Sequence, residues 1–118
     1  MSDAYNLFRE GQKRLRTGLA AQATVPLEKA KKLEPEKASI REALGIAYFR
    51  LARWQEAERE FRTIVEELSP TDHYAHYALG RALEQLGRTS EANGHYKLAS
   101  SMQPESETYS SRILDLDQ

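Results

Sequence analysis

His73 and His76 stand three residues apart behind Asp72, a spacing that on a helix turns two imidazoles to one side as a zinc site would require. A protein-held zinc needs at least three protein ligands, and none suggests itself as the third. His76 also falls on a packing position of its helix, so no metal is expected. His95 reads as a surface residue of a later helix. Glu56, Glu58, Glu60, Glu66 and Glu67 form a carboxylate-rich stretch broken by Arg59 and Arg62, which reads as a solvated helix face paired at i,i+3 and i,i+4. Lys29, Lys31 and Lys32 read the same way. The chain has no cysteine, which removes disulfides, thiolate catalysis and Cys-ligated zinc together. It contains no phosphate-binding glycine loop, dinucleotide fingerprint, nucleophile elbow or His-Glu-x-x-His. These residues assemble no nucleophile, base and oxyanion donor, so neither an enzyme nor a cofactor is expected.

What the sequence does carry is a register. Gly11, Gly45 and Gly80 recur at 34 and 35 residues. Ala23, Ala57 and Ala92 recur at the same intervals, as do Leu27, Phe61 and Tyr96. Pro35, Pro70 and Pro104 recur at 35 and 34. A period near 34 marks one supersecondary unit copied and stacked. Stacked units build extended surfaces rather than reaction centres.

Within each unit the apolar residues step by three and four. Ile40, Ala43, Leu44, Ala47, Tyr48 and Leu51 make one stripe, and Ala57, Phe61, Ile64, Val65 and Leu68 make another. The short polar break between them forces antiparallel neighbours, so each unit is a helical hairpin. Helices are predicted near 3–17, 20–33, 37–51, 54–68, 72–86, 89–102 and 106–116. Gly18 and Gly87 end the first helices of units one and three, where a left-handed cap favours glycine. Ala52 takes that place in unit two, so its cap must differ or be strained. Pro26 lies inside a helix, where it should delay the start or kink it. Unit two carries one extra residue within 65–69, read as a lengthened last turn. Gly94 is read as easing helix packing.

These residues resemble a tetratricopeptide repeat. The resemblance rests on Ala43-Leu44-Gly45-Ile46-Ala47-Tyr48 with Ala57, Phe61 and Pro70, and on Ala78-Leu79-Gly80-Arg81-Ala82-Leu83 with Ala92, Tyr96 and Pro104. Glu10-Gly11, Ala23, Leu27, Ala30 and Pro35 form a weaker first copy. The resemblance implies an all-α fold: a right-handed superhelical stack of three antiparallel hairpins, with repeats 4–37, 38–72 and 73–106 and a capping helix over 107–118. It places glycine where paired helices cross, alanine as its small partner, and Leu27, Phe61 and Tyr96 between units. It also implies a concave groove lined by the first helices. The groove residues would be Tyr5, Phe8, Gln12, Leu15 and Arg16 in unit one. Unit two would supply Ser39, Glu42, Ile46, Phe49 and Arg50, and unit three Tyr74, Tyr77, Arg81, Glu84 and Gln85. Aromatic and arginine side chains dominate binding hot spots. Some members grip a C-terminal carboxylate with groove lysines and asparagines. This chain has Phe8, Gln12 and Ala43 at those places, so that clamp is not expected. Arg16, Arg50 and Arg81 remain as forks for an acidic ligand.

The functional expectation is an adaptor that binds a protein or peptide. Its alternatives are an assembly or secretion chaperone and a self-assembling scaffold. For the last, the apolar, acidic tail Ile113-Leu114-Asp115-Leu116-Asp117 would lie in the groove of the next copy, a weak homo-oligomer through the C-terminal helix. Residues 1–35 carry +3 and residues 105–118 carry −3, while the simpler reading has Ile113, Leu114 and Leu116 capping unit three. The net charge is −1, which points to neither nucleic acid nor an anionic membrane. No stretch approaches the ~20 apolar residues of a membrane span. The start Met1-Ser2-Asp3-Ala4 has no basic segment followed by an apolar run, so no secretory signal is read and a cytoplasmic location is expected.

Overall fold

Each hairpin forms because its two apolar stripes can be buried only against each other and against the next hairpin. The computed structural model describes residues 2–113. Helices α1 (Asp3–Arg16) and α2 (Ala20–Leu33) form the first hairpin, and α3 (Ala38–Arg50) and α4 (Trp54–Thr63) the second. The third consists of α5 (His73–Gln85) and α6 (Thr89–Met102). A single helical turn, α7 (Glu107–Ser110), follows. There is no strand among the described residues, and the stack is a rod of 51 × 25 × 22 Å. The last helix is shorter than the predicted 106–116: Ser111 and Arg112 already lie in a turn, and 114–118 fall outside the described residues.

The register repeats in three dimensions. A Cβ built on Gly11 would stand 2.4 Å from Leu27, one on Gly45 2.6 Å from Phe61, and one on Gly80 2.5 Å from Tyr96. Bare backbone therefore lets the large residue of the second helix lie flat on the first. Ala23, Ala57 and Ala92 are fully buried beside these contacts. Leu27, Phe61 and Tyr96 thus fill their own hairpins first. Phe61 also reaches the next hairpin, with its ring centroid 6.4 Å from that of Tyr74.

The three first-helix ends share one hydrogen-bond pattern. Leu19, Arg53 and Arg88 donate backbone N–H to Arg14, Tyr48 and Leu83 at 2.8–2.9 Å, closing the same left-handed cap. That cap puts Gly18 at φ 80° and Gly87 at φ 79°. Ala52 is held at φ 59°, so unit two keeps the shared cap and bears the strain of a Cβ in the left-handed region.

Two irregularities have local causes. Pro26 neither delays nor breaks α2. It is buried within the helix, and the carbonyl of Gln22 that it leaves without an N–H partner accepts from Arg14 Nη1 at 2.8 Å. The extra residue of unit two is absorbed in a π-helical turn over Ile64–Leu68, where Ser69 N–H donates to Ile64 O at 2.6 Å.

The hairpins differ at their leading faces. Ile40, Leu44 and Tyr48 of α3 and Ala75, Leu79 and Leu83 of α5 are buried against the preceding hairpin. The matching positions of α1 hold Asn6, Glu10 and Arg14, none of them buried. Glu60 of α4 pins the first joint. It is 5% exposed and accepts from Lys31 of α2 at 2.8 Å and from Arg41 of α3 at 3.1 Å.

Candidate functional site: the concave face

The first helices α1, α3 and α5 face one side, and their exposed stripes form a trough. Phe8, Gln12, Leu15 and Arg16 of α1 meet Ser39, Glu42, Ala43, Ile46 and Arg50 of α3 around a hollow of about 290 Å³. Ile46 and Arg50 also belong to a second hollow of about 200 Å³ between α3 and α5, with Phe49, Phe61, Tyr74, Tyr77, Ala78 and Arg81. The shared residues make the two hollows one groove across the stack. Twelve of the fifteen residues expected from the sequence line these two hollows. Tyr5 lies past these two hollows, in an end depression with Glu34, Lys37 and Ile40 that shares Phe8 and Ser39 with the α1–α3 hollow. Glu84 and Gln85 line neither hollow. Phe61, expected between units, and Ala43 and Ala78, not expected in the groove, also line it.

Polar groups in the groove are largely held in place. Arg81 lies over the rings of Phe49 at 5.1 Å and Tyr77 at 5.9 Å, and its Nη1 donates to the Tyr77 hydroxyl at 3.1 Å. Such stacking fixes a guanidinium over an aromatic wall without cancelling its charge. Arg50 Nη1 donates to the Leu15 carbonyl at 2.9 Å, so this side chain also bolts unit two to the end of α1. Arg16 is exposed at the groove edge. Burial, helped by the Asp72 carboxylate across the joint, pushes the Glu42 pKa up. Burial and the nearby Glu42 charge push Tyr74 up as well.

Tyr77 is central to an aromatic cluster. Its ring lies 5.1 Å from Tyr109, 6.1 Å from Tyr74 and 6.1 Å from Tyr96. The wall of the second hollow is therefore braced by α6 and α7 behind it. The Tyr96 hydroxyl is buried and has no hydrogen-bond partner within 3.5 Å among the described residues, and burial and the neighbouring Glu84 carboxylate both push its pKa up. Ile113 packs partly buried against the core, as the capping reading requires, while Leu114 and Leu116 lie outside the described residues.

None of the three histidines lines either hollow, and His73 and His76 take different partners. His73 Nδ1 pairs with the Tyr109 hydroxyl at 2.8 Å, and His76 Nδ1 with Nδ1 of His95 at 3.0 Å. His95 is half-buried in that pair rather than a surface residue. Among the described residues no three His, Cys, Asp or Glu side chains converge as a metal site. No helix among them is long and apolar enough to cross a membrane. A Cβ on Gly94 would meet nothing within 4 Å, so this glycine eases no packing.

Stacked hairpins with a first-helix groove define a helical-repeat scaffold of the α-solenoid class. The tetratricopeptide-repeat sequence pattern matches residues 6–73 and 42–106, and the chain belongs to that family. It is 31% identical over 91 residues to the mouse (Mus musculus) Superkiller complex protein 3, an alignment covering 77% of this chain and 6% of that protein. Solved structures share the right-handed stack. The first repeat domain of Spaghetti (RPAP3), bound to the HSP90 peptide SRMEEVD, superposes with a TM-score of 0.89 at 22% identity, covering 94% of this chain and 87% of that one. The Arabidopsis OM64 repeat domain gives 0.89 at 20% identity, covering 93% and 90%. MamA gives 0.89 at 24% identity, covering 93% and 64%.

Proposed function

We propose that this chain is a non-catalytic protein-interaction adaptor, acting in the cytoplasm, that holds a short segment of a partner polypeptide in the concave groove. The observation that carries the reading is the joined pair of hollows walled by Phe8, Ile46, Phe49, Tyr74 and Tyr77 and edged by arginines. A hollow of about 200 Å³ suits one large apolar side chain of the partner as an anchor. Arg81 on its aromatic wall and Arg16 at the edge suit carboxylates on either side of that anchor. A structural neighbour carries a bound peptide, which supports the general mode. Phe8, Gln12 and Ala43 argue against a lysine-and-asparagine carboxylate clamp here. Three hairpins offer a small interface, so an affinity of about −6 to −8 kcal/mol is expected.

Peptides selected from a random library against the purified chain provide the test. Their binding sites would be mapped by amide chemical shifts on isotopically labelled protein. Shifts centred on Ile46, Phe49, Tyr74 and Arg81, lost in Ile46→Glu with the circular dichroism unchanged, support the reading. Shifts confined to α2, α4 and α6 on the convex side overturn it.

A further inference from the structure

The two joints of the stack use the same positions with different chemistry. At the first, Arg41 Nε donates to Pro35 O at 2.8 Å and Nη1 donates to Glu60 at 3.1 Å. Thirty-five residues on, His76 takes the place of Arg41, Pro70 that of Pro35, and His95 that of Glu60. His76 Nε2 lies 2.8 Å from Pro70 O, and its Nδ1 lies 3.0 Å from His95 Nδ1. The two rings stack with centroids 5.3 Å apart and planes 24° apart. A permanently charged fork gripping a carboxylate has become two imidazoles whose charge follows pH.

The bond pattern fixes where protons can go. A carbonyl only accepts, so His76 Nε2 carries a hydrogen and donates it to Pro70. In the neutral ring Nδ1 is then bare and accepts from His95 Nδ1–H. One added proton on His95 Nε2 leaves this bond in place and makes it charge-assisted. A second must go to His76 Nδ1, which sets two N–H groups and two positive charges face to face at 3.0 Å. The surroundings give no relief. Arg62 of α4 opposes positive charge at His95, while Glu66 of the π turn and Glu91 of α6 favour it. Both carboxylates are already bound to Arg62, at 3.1 and 2.5 Å. On α5 itself, Asp72 caps Ala75 and His73 is taken by Tyr109. Burial, with His76 and Arg62, lowers the His95 pKa, in agreement with this geometry.

We propose that the His76–His95 pair is an acid-sensitive clip on the joint between the second and third hairpins, closed with zero or one added proton and opened by two. His76 shares α5 with Tyr74 and Tyr77, so opening the clip displaces one wall of the groove; this consequence alone rests on the function proposed above.

The test uses the full chain and the swap H76R/H95E, which copies the first joint. If the folded pair excludes one proton that the unfolded chain takes near pH 6.5, the unfolding constant should rise about ten-fold more in the wild type than in the swap between pH 7.5 and 5.5. Imidazole nitrogen NMR of the wild type should show the pair taking up one proton well before the second. Independent titration of both rings near their ordinary value overturns the proposal, as does equal acid sensitivity of the two proteins in urea. Should the swap not fold, H95Q must show the same loss of acid sensitivity. The groove consequence is read separately, as weaker peptide binding at pH 5.5 in the wild type only. Unchanged binding with a confirmed clip overturns that consequence and leaves the clip standing.

Discussion

Gly45→Ala and Gly94→Ala are one chemical change at two helix-interior sites, and their effects should have opposite signs. At Gly45 the new methyl would lie 2.6, 2.7 and 2.9 Å from three carbons of the Phe61 ring. Ordinary carbon contacts begin at about 3.5 Å, so the ring must retreat by about 1 Å. Its room is limited: Phe61 is 1% exposed, Tyr74 lies edge-on beyond it, and the space beside it is the hollow it helps to floor. Overpacking of this kind costs about 1–3 kcal/mol, and exchanging glycine for alanine in a helix returns about 1 kcal/mol. The difference is a net loss of up to about 2 kcal/mol. Gly94 has nothing within 4 Å, so only the helix term remains and the variant should gain up to about 1 kcal/mol. Urea unfolding followed by far-ultraviolet circular dichroism reads both. Combining Gly45→Ala with Phe61→Leu should shrink the Gly45 penalty by at least about 0.5 kcal/mol, the mark of a direct contact. A Gly45→Ala midpoint at or above wild type, or both variants moving the same way, would refute the close-approach argument.

Ala52→Gly should raise the thermal midpoint by relieving the left-handed cap, worth about 1 kcal/mol; an unchanged midpoint would deny the strain. Glu60→Ala should cost about 3 kcal/mol in urea unfolding, because Lys31 and Arg41 lose the carboxylate they share. Glu42→Gln should stabilise the chain at pH 7. A carboxyl whose pKa rises on folding holds its proton more tightly in the native state, so native stability falls as pH climbs through the window above the unfolded value. The gain should therefore vanish as the pH drops below about 4, which paired unfolding curves at pH 7 and 3.5 would check.

The parts of this molecule that depend on spacing could be read from residues alone. Gly45 against Phe61 and Gly80 against Tyr96 follow from periodicity, because a close crossing needs a missing side chain opposite a large one. The extra residue within 65–69 was visible as a count, and the π turn is what a count of one becomes when both neighbouring helices keep their faces. The fate of Pro26 was hidden, because the donor that satisfies Gln22 comes from Arg14 on another helix. Gly94 was misread because glycine within a helix marks crowding only when a partner stands opposite. The His76–His95 pair was also missed, although the repeat held the signal: adding the period to Arg41 and Glu60 lands on both. Most residues that line the two hollows follow from family likeness. The bond from Arg50 to Leu15 does not, since it depends on how far one hairpin slides past the next.

The polar leading face of α1 makes the array directional. Two copies joined head to tail would bring α7 and α6 of one against Asn6, Glu10 and Arg14 of the other, where a continuing stack needs what Ile40, Leu44 and Tyr48 supply. Tandem fusions should therefore behave as independent beads on a thread. Planting those three apolar residues on α1 would turn the same unit into a monomer for filaments.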